Sequence, residues 1–128
     1  VQPCTAATPV RVFTVSWAPP AGQDASTITV VVGYRSDRVS LPGSGSAAGS
    51  RVKNRPASSI VGVNDLDYAL RVVVTRSGQI PPGRLFTVDF DGCQGAAAAV
   101  AADFGCIVVD CATSFGPVDG CTCSVAGP

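Results

Sequence analysis

The sequence predicts an all-β fold, a jelly-roll-like β-sandwich of about 8–9 antiparallel strands stapled by disulfides. Three observations lead there. The 128-residue chain carries 20 Val and 9 Thr against 8 Leu plus Ile, and β-branched side chains, stiff at χ1, suit the pleated surface of a strand. Its 14 Gly and 10 Pro mostly punctuate strand-length runs. No long segment repeats apolar residues at the helical period. A single domain over residues 10–128, behind a polar tail at 1–9, accounts for the length.

The predicted strands, in order, are 10–17, 27–34, 58–63, 68–75, 84–90, 103–109 and 120–125, with weaker candidates at 37–41 and 51–54. Turn signals separate them: Ala18-Pro19-Pro20-Ala21-Gly22, Pro42-Gly43-Ser44-Gly45, Ser77-Gly78, Pro81-Pro82-Gly83 and Gly116-Pro117. The one helix-like stretch, 96–102, is too short to be stable on propensity alone. Within 84–90, alternation puts Phe86, Val88 and Phe90 on a core face and Leu85, Thr87 and Asp89 opposite. The run 68–75 alternates Leu70, Val72 and Val74 with Ala69, Arg71 and Val73, so it is apolar on nearly both sides. The first strand is similar, with Val10, Val12, Phe13, Val15 and Trp17 spread over both faces. A strand apolar on both faces wants cover on both, and a small sandwich covers one.

Charge narrows the function. Only 14% of residues are charged, against roughly 25% in average soluble proteins. Nine Lys plus Arg balance nine Asp, which argues against an electrostatic grip on nucleic acid or anionic lipid. The chain has no Glu, His or Met. A hydrolase would then need two Asp as acid and nucleophile, and no spacing singles out such a pair, so no catalytic residue and no enzyme is expected. Two oxygen-rich corners, Asn64-Asp65-Asp67 and Asp89-Asp91-Gly92, read as turn-capping residues rather than calcium sites. No cofactor and no metal is expected. Pro42-Gly43-Ser44-Gly45-Ser46 lacks the Lys and following helix of a phosphate loop, and Arg51, Lys53 and Arg55 beside it read as a solvated surface or a partner contact. No run of 18 apolar residues is present to span a membrane. A mean hydropathy of +0.34 with one Lys suggests a subunit that buries much of its surface against a neighbour.

Six cysteines, Cys4, Cys93, Cys106, Cys111, Cys121 and Cys123, imply a disulfide framework and an oxidising compartment. The absent Met adds the expectation of a removed secretory leader and a secreted or cell-surface protein. If 103–109 and 120–125 form a hairpin, bridges between the 106/111 and 121/123 pairs are plausible. Cys121 and Cys123 share a face, whereas Cys106 and Cys111 differ in parity, so two such bridges need a bulge or a bend. The rival, zinc on the Cys121-Thr122-Cys123 thiolates, has neither CxxC spacing nor a His.

Several motifs carry a family resemblance. Thr27-Ile28-Thr29-Val30-Val31-Val32-Gly33-Tyr34 followed by Asp37-Arg38-Val39-Ser40-Leu41-Pro42-Gly43 resembles a strand, corner and strand of bacterial cohesin-like modules. Gly83-Arg84-Leu85-Phe86-Thr87-Val88-Asp89-Phe90 resembles another strand of that group. Asp103-Phe104-Gly105-Cys106 and Gly120-Cys121-Thr122-Cys123-Ser124-Val125 resemble a Cys-bearing variant. The resemblance, which extends to carbohydrate-binding-module-like sandwiches, covers roughly residues 10–125. It implies a non-catalytic jelly roll that binds a protein partner, dockerin in the best-known case. The family opens with an additional strand that the polar 1–9 tail supplies poorly, which leaves an open edge for a neighbour. The leading expectation is thus a self-assembling cell-surface filament subunit, using strand complementation through Val10, Val12, Phe13, Val15 and Trp17. A monomeric cohesin-like module with a dockerin-type partner is the alternative. A glycan binder comes third, with Trp17 beside Pro19-Pro20 the best stacking candidate among eight aromatics.

Overall fold

A computed structural model describes residues 10–35, 38–41, 46–66, 68–92 and 99–127. The 1–9 tail with Cys4, the 42–45 loop, Asp37, Asp67, Cys93 and residues 96–98 of the helix-like stretch lie outside the described residues. Among the described residues ten strands form: β1 (Val10–Ala18), β2 (Thr27–Gly33), β3 (Val39–Ser40), β4 (Val52–Lys53), β5 (Ser59–Asp65), β6 (Ala69–Arg76), β7 (Gly83–Gly92), β8 (Gly105–Thr113), β9 (Gly116–Pro117) and β10 (Thr122–Ala126). The first sheet runs β10-β1-β7-β3, with β4 also on β7, and the second runs β5-β6-β2-β8-β9. All pairings between strands are antiparallel. The all-β, two-sheet, disulfide-bearing class read from the sequence is the one observed.

The alternation that predicts the strands also fills the core. Phe13, Val15, Trp17, Phe86, Val88 and Phe90 point inward from the first sheet. Ile28, Val30, Val32, Leu70, Val72 and Val74 meet them from the second. At one end of the core Phe104 packs with its ring centroid 4.2 Å from Phe13 and 5.3 Å from Phe90, while Tyr34 lies 5.2 Å from Phe90. A 3-10 turn over Ser46–Arg51 buries Ala48, and a Cβ placed on its Gly49 would meet Val63 Cβ at 3.9 Å. This turn, which the sequence offers only as loop, packs along β5. Covering an edge strand in this way is one of the devices that limit unwanted strand pairing.

Two bulges correct the simple alternation. Opposite β1 the register slips between Val15 and Ser16, pairing them with Phe86 and Arg84, so Leu85 is the extra residue of β7. Leu85 and Phe86 are consequently both buried, and Leu85 does not share the outer face with Thr87. Opposite β2 the slip falls between Thr29 and Val30, which pair with Asp110 and Val108 and leave Val109 extra in β8. That second bulge lies between Cys106 and Cys111. It turns two cysteines of opposite parity to the same side.

Both then reach across the sandwich. Cys106 bonds Cys123 with Cα atoms 5.7 Å apart, and Cys111 bonds Cys121 at 6.5 Å. The expected pairing groups and the expected bulge are both present, but not the expected hairpin: β8 belongs to the second sheet and β10 to the first. The bridges thus close one side of the sandwich, tying β10 at the margin of the first sheet to β8, which the two-residue β9 borders in the second. Among the described residues every cysteine is oxidised, so Cys121 and Cys123 are not zinc ligands here.

Candidate functional site

The two outer faces differ in chemistry. On the first sheet, β7 presents Thr87, Asp89 and Asp91 outward, and the segment through β4 supplies the partners. Arg51 donates from Nη1 and Nη2 to the Asp91 carboxylate at 2.9 and 3.3 Å and also to the Asp89 carbonyl at 3.1 Å. Lys53 Nζ sits 2.6 Å from Asp89 Oδ2. Asn54 donates to the Thr87 hydroxyl at 2.8 Å. Arg55 turns back onto the Val52 and Gly49 carbonyls at 2.9 and 2.7 Å. Of the basic patch read from the sequence, Arg51 and Lys53 are thus paired with carboxylates, while Arg55 meets backbone carbonyls. Thr14 and Ser16 of β1 and Ser124 of β10 continue this face, which also exposes Val12 beside Asp89 and Arg84 beside Ser16.

The second sheet reads otherwise. Residues directed away from the core form rungs across its strands: Ile60–Thr75–Thr27–Ala112, Gly62–Val73–Thr29–Asp110 and Asn64–Arg71–Val31–Ile107. Ile60 is 78% exposed, Ile107 62% and the bulged Val109 53%. Arg71 and Asp110 are the charges on these rungs, one on either side of β2.

Of the residues named for assembly, Phe13, Val15 and Trp17 lie in the chain's own core, whereas Val12 is exposed and Val10 pairs with Asp91. β1 is bonded to β7 from Val10 to Trp17 and to β10 from Thr14 to Ala18. Its second half is therefore interior to the sheet, and among the described residues Val10–Phe13 pair on one side only. Trp17 is also no stacking platform, being 2% exposed with Nε1 donating to the Pro81 carbonyl at 3.0 Å.

The oxygen-rich corners carry bonds within the chain. Asp65 is buried and accepts from the Tyr34 hydroxyl at 2.5 Å, and Asp89 and Asp91 hold Lys53 and Arg51. Asp103, at the 3-10 turn Ala101–Asp103, accepts from the Val100 amide at 3.0 Å and from Arg38 Nη1 at 2.9 Å, with Arg35 at 4.0 Å. The amide bond, chiefly, and then Arg38 and Arg35 hold its carboxyl below the ordinary value of 3.8, against the opposing effect of burial. Among the described residues no group of three or more Cys or Asp side chains is placed to hold a metal ion. No described helix is long and apolar enough to cross a membrane.

One feature escaped the strand pattern altogether. Phe115, at the β8–β9 hairpin tip, is 99% exposed beside a cleft of about 330 Å³ lined by Gln23, Asp24, Thr113, Pro117 and Val118. Its signal in the sequence is a large aromatic in Ser114-Phe115-Gly116-Pro117, a turn with no strand to bury it. Comparison with known proteins finds no family model, no curated relative and no solved structure that matches the chain. The cohesin-like resemblance accordingly rests on the quoted motifs.

Proposed function

We propose that the chain is a non-catalytic extracellular structural and interaction module that assembles with further copies of itself through the outer face of β5-β6-β2-β8. The supporting observation is the contrast between the two outer faces. On one, Asp89 and Asp91 are paired with Lys53 and Arg51 and Val12 is the exposed large apolar side chain, while the other leaves Ile60, Ile107 and Val109 in water. The apolar face is also complementary to itself in charge. Arg71 on β6 and Asp110 on β8 flank β2 on neighbouring rungs. A two-fold axis along β2 brings Arg71 of one copy towards Asp110 of the other, and isologous packing of this kind closes as a pair. Growth into a filament then needs a second, head-to-tail contact. The two cross-sheet disulfides fit a secreted or cell-surface setting.

Sedimentation velocity and negative-stain microscopy of the native, unreduced protein over a concentration series test this. The expected result is reversible growth beyond the monomer that Ile107→Lys abolishes while leaving the circular dichroism spectrum intact. Fibres rather than pairs would add the head-to-tail contact. Monomer at every concentration refutes self-assembly and moves a different extracellular protein, of the dockerin type, into the place of the partner.

A further inference from the structure

We propose that the cleft beside Phe115 is a saccharide-binding subsite, in which the phenyl ring stacks on an uncharged sugar ring and Asp24 and Gln23 bind its hydroxyls. The aromatic is held out by construction. Thr113 and Gly116 pair as the last rung of β8 and β9, leaving Ser114 and Phe115 as the two-residue turn. The Phe115 amide donates to the Thr113 hydroxyl at 3.1 Å, and Gly116 takes a φ of 138° that a side chain would resist. The segment leading into β2 runs alongside, tied by the Ser26 amide to the Ala112 carbonyl at 2.9 Å. It places Gln23 and Asp24, both exposed, in the lining of the same cleft as Phe115.

The chemistry of the wall selects the ligand. A flat apolar ring edge alone would suit a leucine or a tyrosine of a partner protein. Burying Asp24 and Gln23 under such a side chain would strip both of water without replacing their hydrogen bonds, which is costly. A pyranose meets both demands, with axial C–H groups for the phenyl face and hydroxyls for the carboxylate and the amide. At about 330 Å³ the cleft is at the small end of ligand sites. None of its lining residues is Lys or Arg, so a uronic acid is disfavoured beside Asp24.

Amide-resolved NMR of the intact protein, titrated with glucose, galactose, mannose, N-acetylglucosamine and glucuronate, tests the assignment. The expected result is shift changes centred on residues 22–24 and 113–118 with at least one uncharged sugar, and weaker binding of glucuronate. Phe115→Ala should weaken that sugar by about tenfold, and Phe115→Trp should retain it. Both variants alter a fully exposed side chain, so their spectra elsewhere should match the parent. Absence of shifts with every uncharged sugar overturns the proposal, as do shifts that survive Phe115→Ala unchanged. Ile107→Lys, which breaks the proposed self-contact, should leave sugar binding intact, so the two readings fail separately.

Discussion

Removing the two cross-sheet bridges should cost more together than the sum of the separate losses. Cys106–Cys123 spans a sequence separation of 17, and Cys111–Cys121, nested inside it, spans 10. In the chain-entropy account each bridge stabilises by restricting the unfolded chain, in proportion to the logarithm of the loop it closes. With the inner bridge in place, the outer one closes a ring of only about eight residues in the unfolded state, and Cys106→Ser/Cys123→Ser should cost ~2.5 kcal/mol. By the same reasoning Cys111→Ser/Cys121→Ser should cost ~2 kcal/mol, because the outer bridge already confines that segment. Removal of both should cost ~5 kcal/mol, since the last bridge lost is the sole constraint on its loop. In a chain of this size these losses correspond to lowering Tm by roughly 10 °C for either single pair and about twice that for both. Urea denaturation of the four proteins, with Cys4 and Cys93 untouched, supplies the free energies. A double loss clearly smaller than the sum of the single losses would refute the nested-loop reasoning. It would mean instead that the bridges act by holding β8 to β10 in the native state.

Three further effects follow from local chemistry. Ser58 holds φ at 59°, a left-handed conformation that costs an L-residue about 1 kcal/mol, so Ser58→Gly should raise the urea midpoint by a comparable free energy. Tyr34→Phe removes a donor from the buried Asp65 and should destabilise by about 1.5–3 kcal/mol in the same assay, with little change in m. Asp103 has its folded-state pKa lowered, so its contribution is fully present above the ordinary carboxylate value of 3.8 and is lost as pH falls through the lower folded value. The stability gap between the parent and Asp103→Asn should accordingly be constant near neutrality and close only in acid below that range. A gap that instead closes on the alkaline side of pH 5 would show that this carboxyl is not the group responsible.

Period-two alternation made seven of the strands legible, because Val-rich runs bounded by Gly and Pro have few other ways to bury themselves. It also anticipated the cysteine bridges through an inconsistency. Parity forbade Cys106 and Cys111 from sharing a face, and the bulge at Val109 is the local answer to that conflict. The same device at Leu85 was not legible, since nothing in Arg84-Leu85-Phe86 marks which residue is extra. Strand β9 is two residues long and the Ser46–Arg51 turn is built from small residues, so neither offers a periodic signal. The first strand misled for a different reason. Its apolar residues on both faces suggested surface left for a neighbour, and the polar tail before it an open edge, but sheet position depends on which distant strands pair with it. β10 and β7 arrive from more than 60 residues away in sequence.

The scarcity of charge takes on meaning only when it is mapped. If it merely reflected an Ala- and Val-rich composition, both outer faces would be equally poor in ions. They are not. Two of the chain's acids, Asp89 and Asp91, are matched to Arg51 and Lys53 on the first sheet, where the outward residues of β1 and β10 mix Thr and Ser with Val12, Ala18 and Ala126. The second sheet devotes its outward positions to Ile, Val, Thr, Ala, Gly and Asn64, with Arg71 and Asp110 set apart rather than joined. Cross-strand neighbours of opposite charge contribute little on an exposed face, so separating them sacrifices almost nothing in the monomer. Placed across an interface and shielded from water, each would instead face a partner it lacks at home. The distribution of charge, more than its amount, is what favours a second molecule on this sheet.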